Sequence, residues 1–395
     1  MNAAPWTLKE RSEPRESLVE ADGICPVIML LGRRDEPIDA VRDYTMFLGD
    51  ALRKRGVSCG IWEVRWEAQG WFAALRRLWK ESRVWKDRWV VLNYTALMWS
   101  RRGFPLATPL ILSVLKLRGC RTAVVFHDGY VIAGPRWVDR ARIYLQERIM
   151  SHLSKSAARA ILPVPVDSAS WLPADAKTIF IPVGANVPSL DDLAAEGFVP
   201  VRHGIPTVAV FGVTTWPAAQ QREVEAVAHA VRHACETAGE LQLVVLGRGA
   251  KEAEHLLRDQ LAGSNVRLRV EGLCSERKIS ANLAASDVLL FARGGLSTRR
   301  GSGLAAIACE LPIVAFEGSE TAWPLTQAGI VFVRGDDFES LGNQLSALLR
   351  DRERRLDLGA RNRAVFREWF SWSRIAERWI EALDADPVVG SGTRR

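Results

Sequence analysis

The chain has 395 residues, 48% apolar and 25% charged, with a net charge of +7 and a pI near 9.3, which excludes a disordered chain and leaves room for two ordinary domains. The polar N-terminus MNAAPWTLKERSEPRESLVEADG lacks an apolar signal-peptide core, and nowhere do about 18 uncharged apolar residues run together, so neither secretion nor a membrane span is expected. Cys25, Cys59, Cys120, Cys235, Cys274 and Cys309 are scattered without a CxxC pair, which argues against a zinc site or disulfide frame and for a reduced, cytoplasmic protein. The basic balance calls for an anionic partner: nucleotide phosphate, acidic lipid or nucleic acid.

After a polar tail (1–23), short apolar runs alternate with amphipathic helical stretches. The spacing predicts a strand at 25–32, a helix at 41–56, a strand at 57–64, a helix at 70–82, a strand at 89–94, a helix at 106–117, a strand at 122–128 and a helix at 138–156. Strands ARAILPV and TIFIPVG follow. The polar, Pro- and Gly-bearing segment NVPSLDDLAAEGFVPVRHGIP then reads as a domain junction. The second series runs strand 207–212, helix 221–238, strand 241–247, helix 250–261, strand 266–272, helix 276–285, strand 287–293, a helix from Gly301 and strand 312–316. An amphipathic helix within 369–384 and a polar tail (385–395) close the chain. The pattern predicts an α/β chain of two tandem, doubly wound, Rossmann-like domains, 24–198 and 199–368, with ligand loops at the C-terminal ends of parallel strands facing a cleft.

The stretch GGLSTRRGSGLAAIACELPIVAF, 294–316, reads as a phosphate site. A helix starting at Gly301 and Ser302 offers backbone N–H groups at its positive end, and Arg299 and Arg300 add two permanent charges suited to phosphate oxygens. The alternative is an ordinary capped helix with two solvated arginines. His127 ends a strand, with Asp128 and Gly129 after it; a strand-end imidazole suits a site, whereas Asp-Gly is also simple turn chemistry. Asp39, Arg42 and Asp43 border a helix start, where Asp answers the positive end of the dipole. From Trp62 to Arg102 tryptophans interleave with arginines and lysines, a mix that suits anionic lipid headgroups, core packing with a solvated flank or, least well, single-stranded nucleic acid. Asp336 and Asp337 are expected to cap the next helix rather than hold a metal.

Taken in order, DYTMFLGDALRKRG, NYTALMWSRRGFPL, VFHDGY, IPVGANVP, LGRG, GLCSERKISANLAASDVLLFA, ACELPIVAF and FSWSRIAERWIEAL resemble the retaining, metal-independent glycosyltransferases of family 4, which have the GT-B fold and use nucleotide-sugar donors. The resemblance implies an N-terminal acceptor domain, a C-terminal donor domain and a last helix that returns to the first. It implies catalytic roles for His127 and Asp128. It implies donor contacts at Gly212, Arg222, Arg248, Ser297, Arg299, Arg300, Gly301 and Ser302, and acceptor contacts at Asp39, Arg42, Asp43, Tyr94 and Arg102. The two donor-loop glutamates common in that family fall on Ser297 and Ala305, as in a branch with an SxRRxS-type loop. The family's Arg and Lys after the first strand of the donor domain are replaced within GVTTWPAAQQR, leaving Arg222 as the nearby cation.

The expected activity is transfer of a sugar from a nucleotide diphosphate sugar to an acceptor hydroxyl, in surface polysaccharide or glycolipid synthesis, without metal or other cofactor. The expected partners are that donor, a glycan or lipid-linked acceptor and an anionic membrane surface at the inner face; nucleic acid is disfavoured. Two alternatives are a catalytically degenerate partner subunit and a nucleotide-sugar epimerase of the same fold.

Overall fold

The computed structural model describes residues 26–33, 39–128, 136–200 and 204–384; both tails, Cys25, Gly129 and Tyr130 lie outside this set. The chain divides into two compact units. The first comprises 1–161, 171–179 and 380–395, and the second 162–170 and 180–379, so the division falls earlier than the expected 198/199 boundary.

The first unit is built on β1 (Val27–Leu31), α1 (Ala40–Lys54), β2 (Cys59–Glu63), α2 (Trp66–Gln69), α3 (Trp71–Glu81), β3 (Trp89–Tyr94), α4 (Thr108–Leu117), β4 (Arg121–Phe126), α5 (Trp137–Ser156), β5 (Arg159–Leu162) and β6 (Thr178–Phe180). The sheet order is β2-β1-β3-β4-β5-β6, and β1 pairs in parallel with both β2 and β3. Strands such as VIMLL and WVVLNY are buried along their whole length, as befits a parallel sheet covered on both faces.

Most of the Trp-rich segment is interior rather than interface. Trp66 Nε1 donates to the Met98 carbonyl at 3.0 Å, Trp99 Nε1 to the Asn93 carbonyl at 2.8 Å, and the Trp66 and Trp71 rings stack at 5.2 Å. Trp79 is the exception: it is exposed, with the Arg118 guanidinium 3.6 Å from its ring centroid. The segment therefore splits between core and surface.

The second unit contains α6 (Leu190–Ala195), β7 (Thr207–Phe211), α7 (Pro217–Ala238), β8 (Leu241–Leu246), α8 (Ala250–Leu261), β9 (Val266–Gly272), α9 (Glu276–Ala285), β10 (Val288–Gly295), α10 (Gly301–Ala308), β11 (Ile313–Phe316), β12 (Ile330–Val333), α11 (Phe338–Arg350) and α12 (Arg352–Val365). Most of α13 (Trp372–Asp384) also belongs to it. The sheet runs β12-β11-β10-β7-β8-β9. Alternation along β7 sends Val208 and Val210 into one apolar cluster and Ala209 into the other, so both faces of the sheet are covered.

The expected junction contains α6, which a Ser189–Asp192 capping box starts. Asp337 caps α11, its carboxylate accepting the Ser340 N–H at 2.9 Å, as the turn reading expected. Among the described residues no helix is long and apolar enough to cross a membrane, and no group of three or more His, Cys, Asp or Glu could hold a metal ion.

Candidate functional site

In the second unit the loops after β7, β8 and β10 form one arrangement. Gly212 follows β7 at φ +78°, and a Cβ there would lie 3.4 Å from Nη1 of Arg293, which β10 carries. Gly249, after β8, has φ +77°, and a Cβ would sit 2.0 Å from the Val213 carbonyl oxygen. Only glycine fits such an approach. Val213 N–H donates to the Arg248 carbonyl at 2.9 Å, so the LGRG backbone clamps the β7 loop while the Arg248 side chain is exposed.

Beneath this loop lies Glu223 of α7, 4% exposed, with Oε2 accepting the Thr214 N–H at 2.9 Å. Burial pushes its carboxyl up to about 7, against the pull of the Thr214 N–H and the positive charges of Arg293 and Arg300. The sequence reading missed Glu223 and Arg293. Glu223 lies in the second turn of an amphipathic helix, where a carboxylate carries no signal of its own, and Arg293 closes an apolar run.

Helix α10 begins at Gly301, as expected, with Arg300 at its N-cap and no side chain capping its first turn. From Gly303 to Ala308 it is buried throughout, and small residues let it sit close to β10: a Cβ on Gly303 would meet Leu296 at 2.4 Å. Its uncapped N-terminus, with half-buried Arg300 and Arg293 nearby in charge to Glu223, is suited to an anion.

Three expected donor residues are placed otherwise. Arg299 turns its Nε to both carboxylate oxygens of buried Glu320, at 3.1 and 3.0 Å, which offsets its charge. Arg222 pairs with Asp336 in the open. Ser297 is fully buried, its Oγ without a hydrogen-bond partner, because its neighbours are anchored: Thr298 Oγ1 donates to the Pro163 carbonyl and Leu296 O accepts from Thr321 Oγ1. Gly301 is exposed and Ser302 half-buried at the helix start.

In the first unit His127 follows β4. Its Nε2 lies 2.8 Å from Asn93 Oδ1, and its ring meets Tyr44 edge to face at 4.9 Å. Asn93 Nδ2 donates to the Leu30 carbonyl at 3.3 Å, which turns Oδ1 toward the imidazole. The Nε2 therefore carries the proton, and Nδ1 keeps a lone pair for an incoming donor. Burial pushes the imidazole down to about 3, so it is neutral at pH 7. Asn93 was also missed; a fully buried polar residue in WVVLNY was its signal.

The expected acceptor residues come from the start of α1, the end of β3 and the segment before α4. Asp39 is the N-cap of α1, accepting the Arg42 N–H at 3.0 Å, and Arg42 reaches Glu63 at the end of β2. Asp43 lies in the first turn of α1. Tyr94 is 1% exposed and packs on Phe126 at 5.5 Å, and burial raises its phenol well above the ordinary range. Arg102 is exposed, its carbonyl accepting from Arg142 Nε at 3.0 Å. Asp128 is exposed.

Solved structures share this architecture. Anabaena HepE, in a crystal structure with UDP and glucose, matches over 92% of this chain and 100% of its own at 13% identity and a TM-score of 0.61. Sucrose-phosphate synthase from Thermosynechococcus elongatus matches over 91% and 98%, at 16% identity and a TM-score of 0.63. At such identities the likeness establishes the fold, which is the two-domain GT-B fold of these proteins.

Residues 205–351, within the second unit, match the family model "Glycosyl transferases group 1". A 152-residue stretch is 30% identical to the GDP-mannose-dependent monoacylated alpha-(1-6)-phosphatidylinositol monomannoside mannosyltransferase of Corynebacterium glutamicum. That stretch is 37% of this chain and 39% of the relative, so the match spans well under half of either protein.

Proposed function

We propose that the chain is a retaining, metal-independent glycosyltransferase that moves a sugar from a nucleoside diphosphate sugar to a hydroxyl of a glycan or lipid-linked acceptor, at the inner face of the membrane. The observation that carries this reading is the anion-suited arrangement of Gly212, Arg293, Arg300 and the α10 N-terminus within the group 1 segment. Breaking the bond from the anomeric carbon to phosphate leaves negative charge on the diphosphate, while a new bond forms to the acceptor oxygen. Fixed cations and aligned N–H groups stabilise that charge most where it develops. In this reading Arg293 and Arg300 supply what the family's Arg and Lys supply elsewhere. Neutral His127 accepts a hydrogen bond from a sugar hydroxyl through Nδ1 without adding a positive charge beside an oxocarbenium-like centre.

The test is acceptor-dependent release of nucleoside diphosphate from a panel of nucleotide sugars. His127→Ala is expected to lower turnover at least about tenfold with donor affinity retained, the scale of one lost hydrogen bond. EDTA is expected to leave the rate unchanged. Restoration of a chelated sample by manganese or magnesium alone would refute metal independence. A second reading, a degenerate partner subunit, is favoured by Ser297 and Ala305 at the family's glutamate positions and by the burial of both. It requires that no donor turn over with any acceptor.

A further inference from the structure

Helices α3, α4 and α5 lie side by side in the first unit: α3 packs on α4, and α4 on α5. Each buries an inner stripe, led by Leu78, Leu112 and Leu153 respectively, and leaves an outer stripe at helical spacing. On α3 that stripe holds Phe72, 85% exposed, then Arg76, Trp79, Lys80 and, just beyond the helix, Arg83. On and before α4 it holds Leu106, Leu110 and Leu117, all exposed. On α5 it holds Trp137, 77% exposed, Arg140, Tyr144 and Arg148. Three adjacent stripes thus leave large apolar side chains in water, although each helix already has an apolar face against the core.

The charge on this surface is one-sided. The three helices carry eight Lys or Arg residues against Glu81, Asp139 and Glu147. Glu81 is engaged by Arg77 and Trp62, and Asp139 by Arg142, so two of those three carboxylates are already offset. Arg118 stacks on Trp79 and donates to its carbonyl, fixing an exposed ring beside a cation.

We propose that the outer face of α3, α4 and α5 docks on an anionic phospholipid surface. Aromatic and aliphatic side chains enter the headgroup boundary while arginines and lysines meet the phosphates around them. A second copy of the chain would bring like charges face to face. Nucleic acid would leave the leucines of α4 without a role. The inference rests on the membrane location proposed above, whose surface it supplies, and not on catalysis, because binding is measured without donor or turnover.

Flotation of the full-length protein with vesicles tests it. Phosphatidylcholine mixed with phosphatidylglycerol should carry the protein, phosphatidylcholine alone should not, and rising salt should release it. Joint replacement Phe72→Ser, Leu110→Ser and Tyr144→Ser should cut partition at least about tenfold, since three apolar groups no longer leave water. Arg76→Glu with Arg83→Glu should do the same. Thermal unfolding monitored by circular dichroism identifies variants that stay folded, and partition is compared among those. Equal recovery with neutral vesicles, no recovery with either, or unaltered partition of folded variants overturns the proposal. Self-association abolished by the serine variant, or oligonucleotide binding abolished by it without vesicle binding, assigns the face to another partner and overturns it equally.

Discussion

The imidazole of His127 is neutral at physiological pH because burial pushes it down to about 3 from an ordinary value of 6.5. Between those values the unfolded chain holds a proton that the native chain does not. The stability tied to this group is therefore fully present above pH 6.5 and lost as pH falls toward 3. Replacing His127 by Asn should flatten the acid side of the melting-temperature profile in that window; an unchanged slope would show that the ring is better solvated than its surroundings imply. Glu223 has the opposite sign. Its carboxyl is raised from 4.5 to about 7, so the native state holds the extra proton and this group's stabilisation declines as pH rises through that interval. Ionised Glu223 also offsets Arg293 and Arg300. Relative to wild type, Glu223→Gln should bind a nucleoside diphosphate more tightly at pH 8 than at pH 5.5, which titration calorimetry at the two values can check. Equal ratios would detach Glu223 from the phosphate end.

At the scale of elements, the β7 and β8 loops depend on a backbone approach that no side chain permits. Gly249→Ala combines a positive φ with a Cβ 2.0 Å from the Val213 oxygen, and should cost about 1–3 kcal/mol of stability together with donor affinity. Chemical denaturation would measure the loss; an unaffected midpoint would mean that the loop relaxes freely. Much of this framework was legible in the sequence. The readings 89–94 for β3 and 250–261 for α8 coincide with the structure, because unbroken apolar runs and clean amphipathic spacing admit one period each. The reading placed the α7 start at Gln221 rather than Pro217, although proline is at home in a first turn. The elements β12 and α12 were not read, and α11 was read only as an unbounded helix after Asp336 and Asp337. The sequence RERRLDLGARNRAV of α12 is so charged that few apolar positions mark its buried side. The start of α10 was legible from its glycines and arginines. The diversion of Arg299 to Glu320 was not, since the two are brought together by folding across 21 positions.

For the molecule as a whole, a net charge of +7 announces an anionic partner without locating it. Two groups of basic residues stand out, one on an outer helical face in the first unit and one among the loops of the second. The Trp/Arg-rich segment serves core and surface at once, with Trp66 and Trp99 buried and Trp79 exposed. The central claim is that the second unit binds a donor through its diphosphate. The most direct measurement is calorimetry with UDP, GDP, ADP and dTDP, each against its nucleoside, on wild type and on Arg293→Ala with Arg300→Ala. At least one diphosphate should bind, with its nucleoside far weaker. The double variant should lose at least about tenfold in affinity, since a hydrogen bond to a charged group contributes about 1.5–3 kcal/mol. Failure of all four diphosphates to bind the wild type at millimolar concentration, or equal affinity in the double variant, would contradict the account.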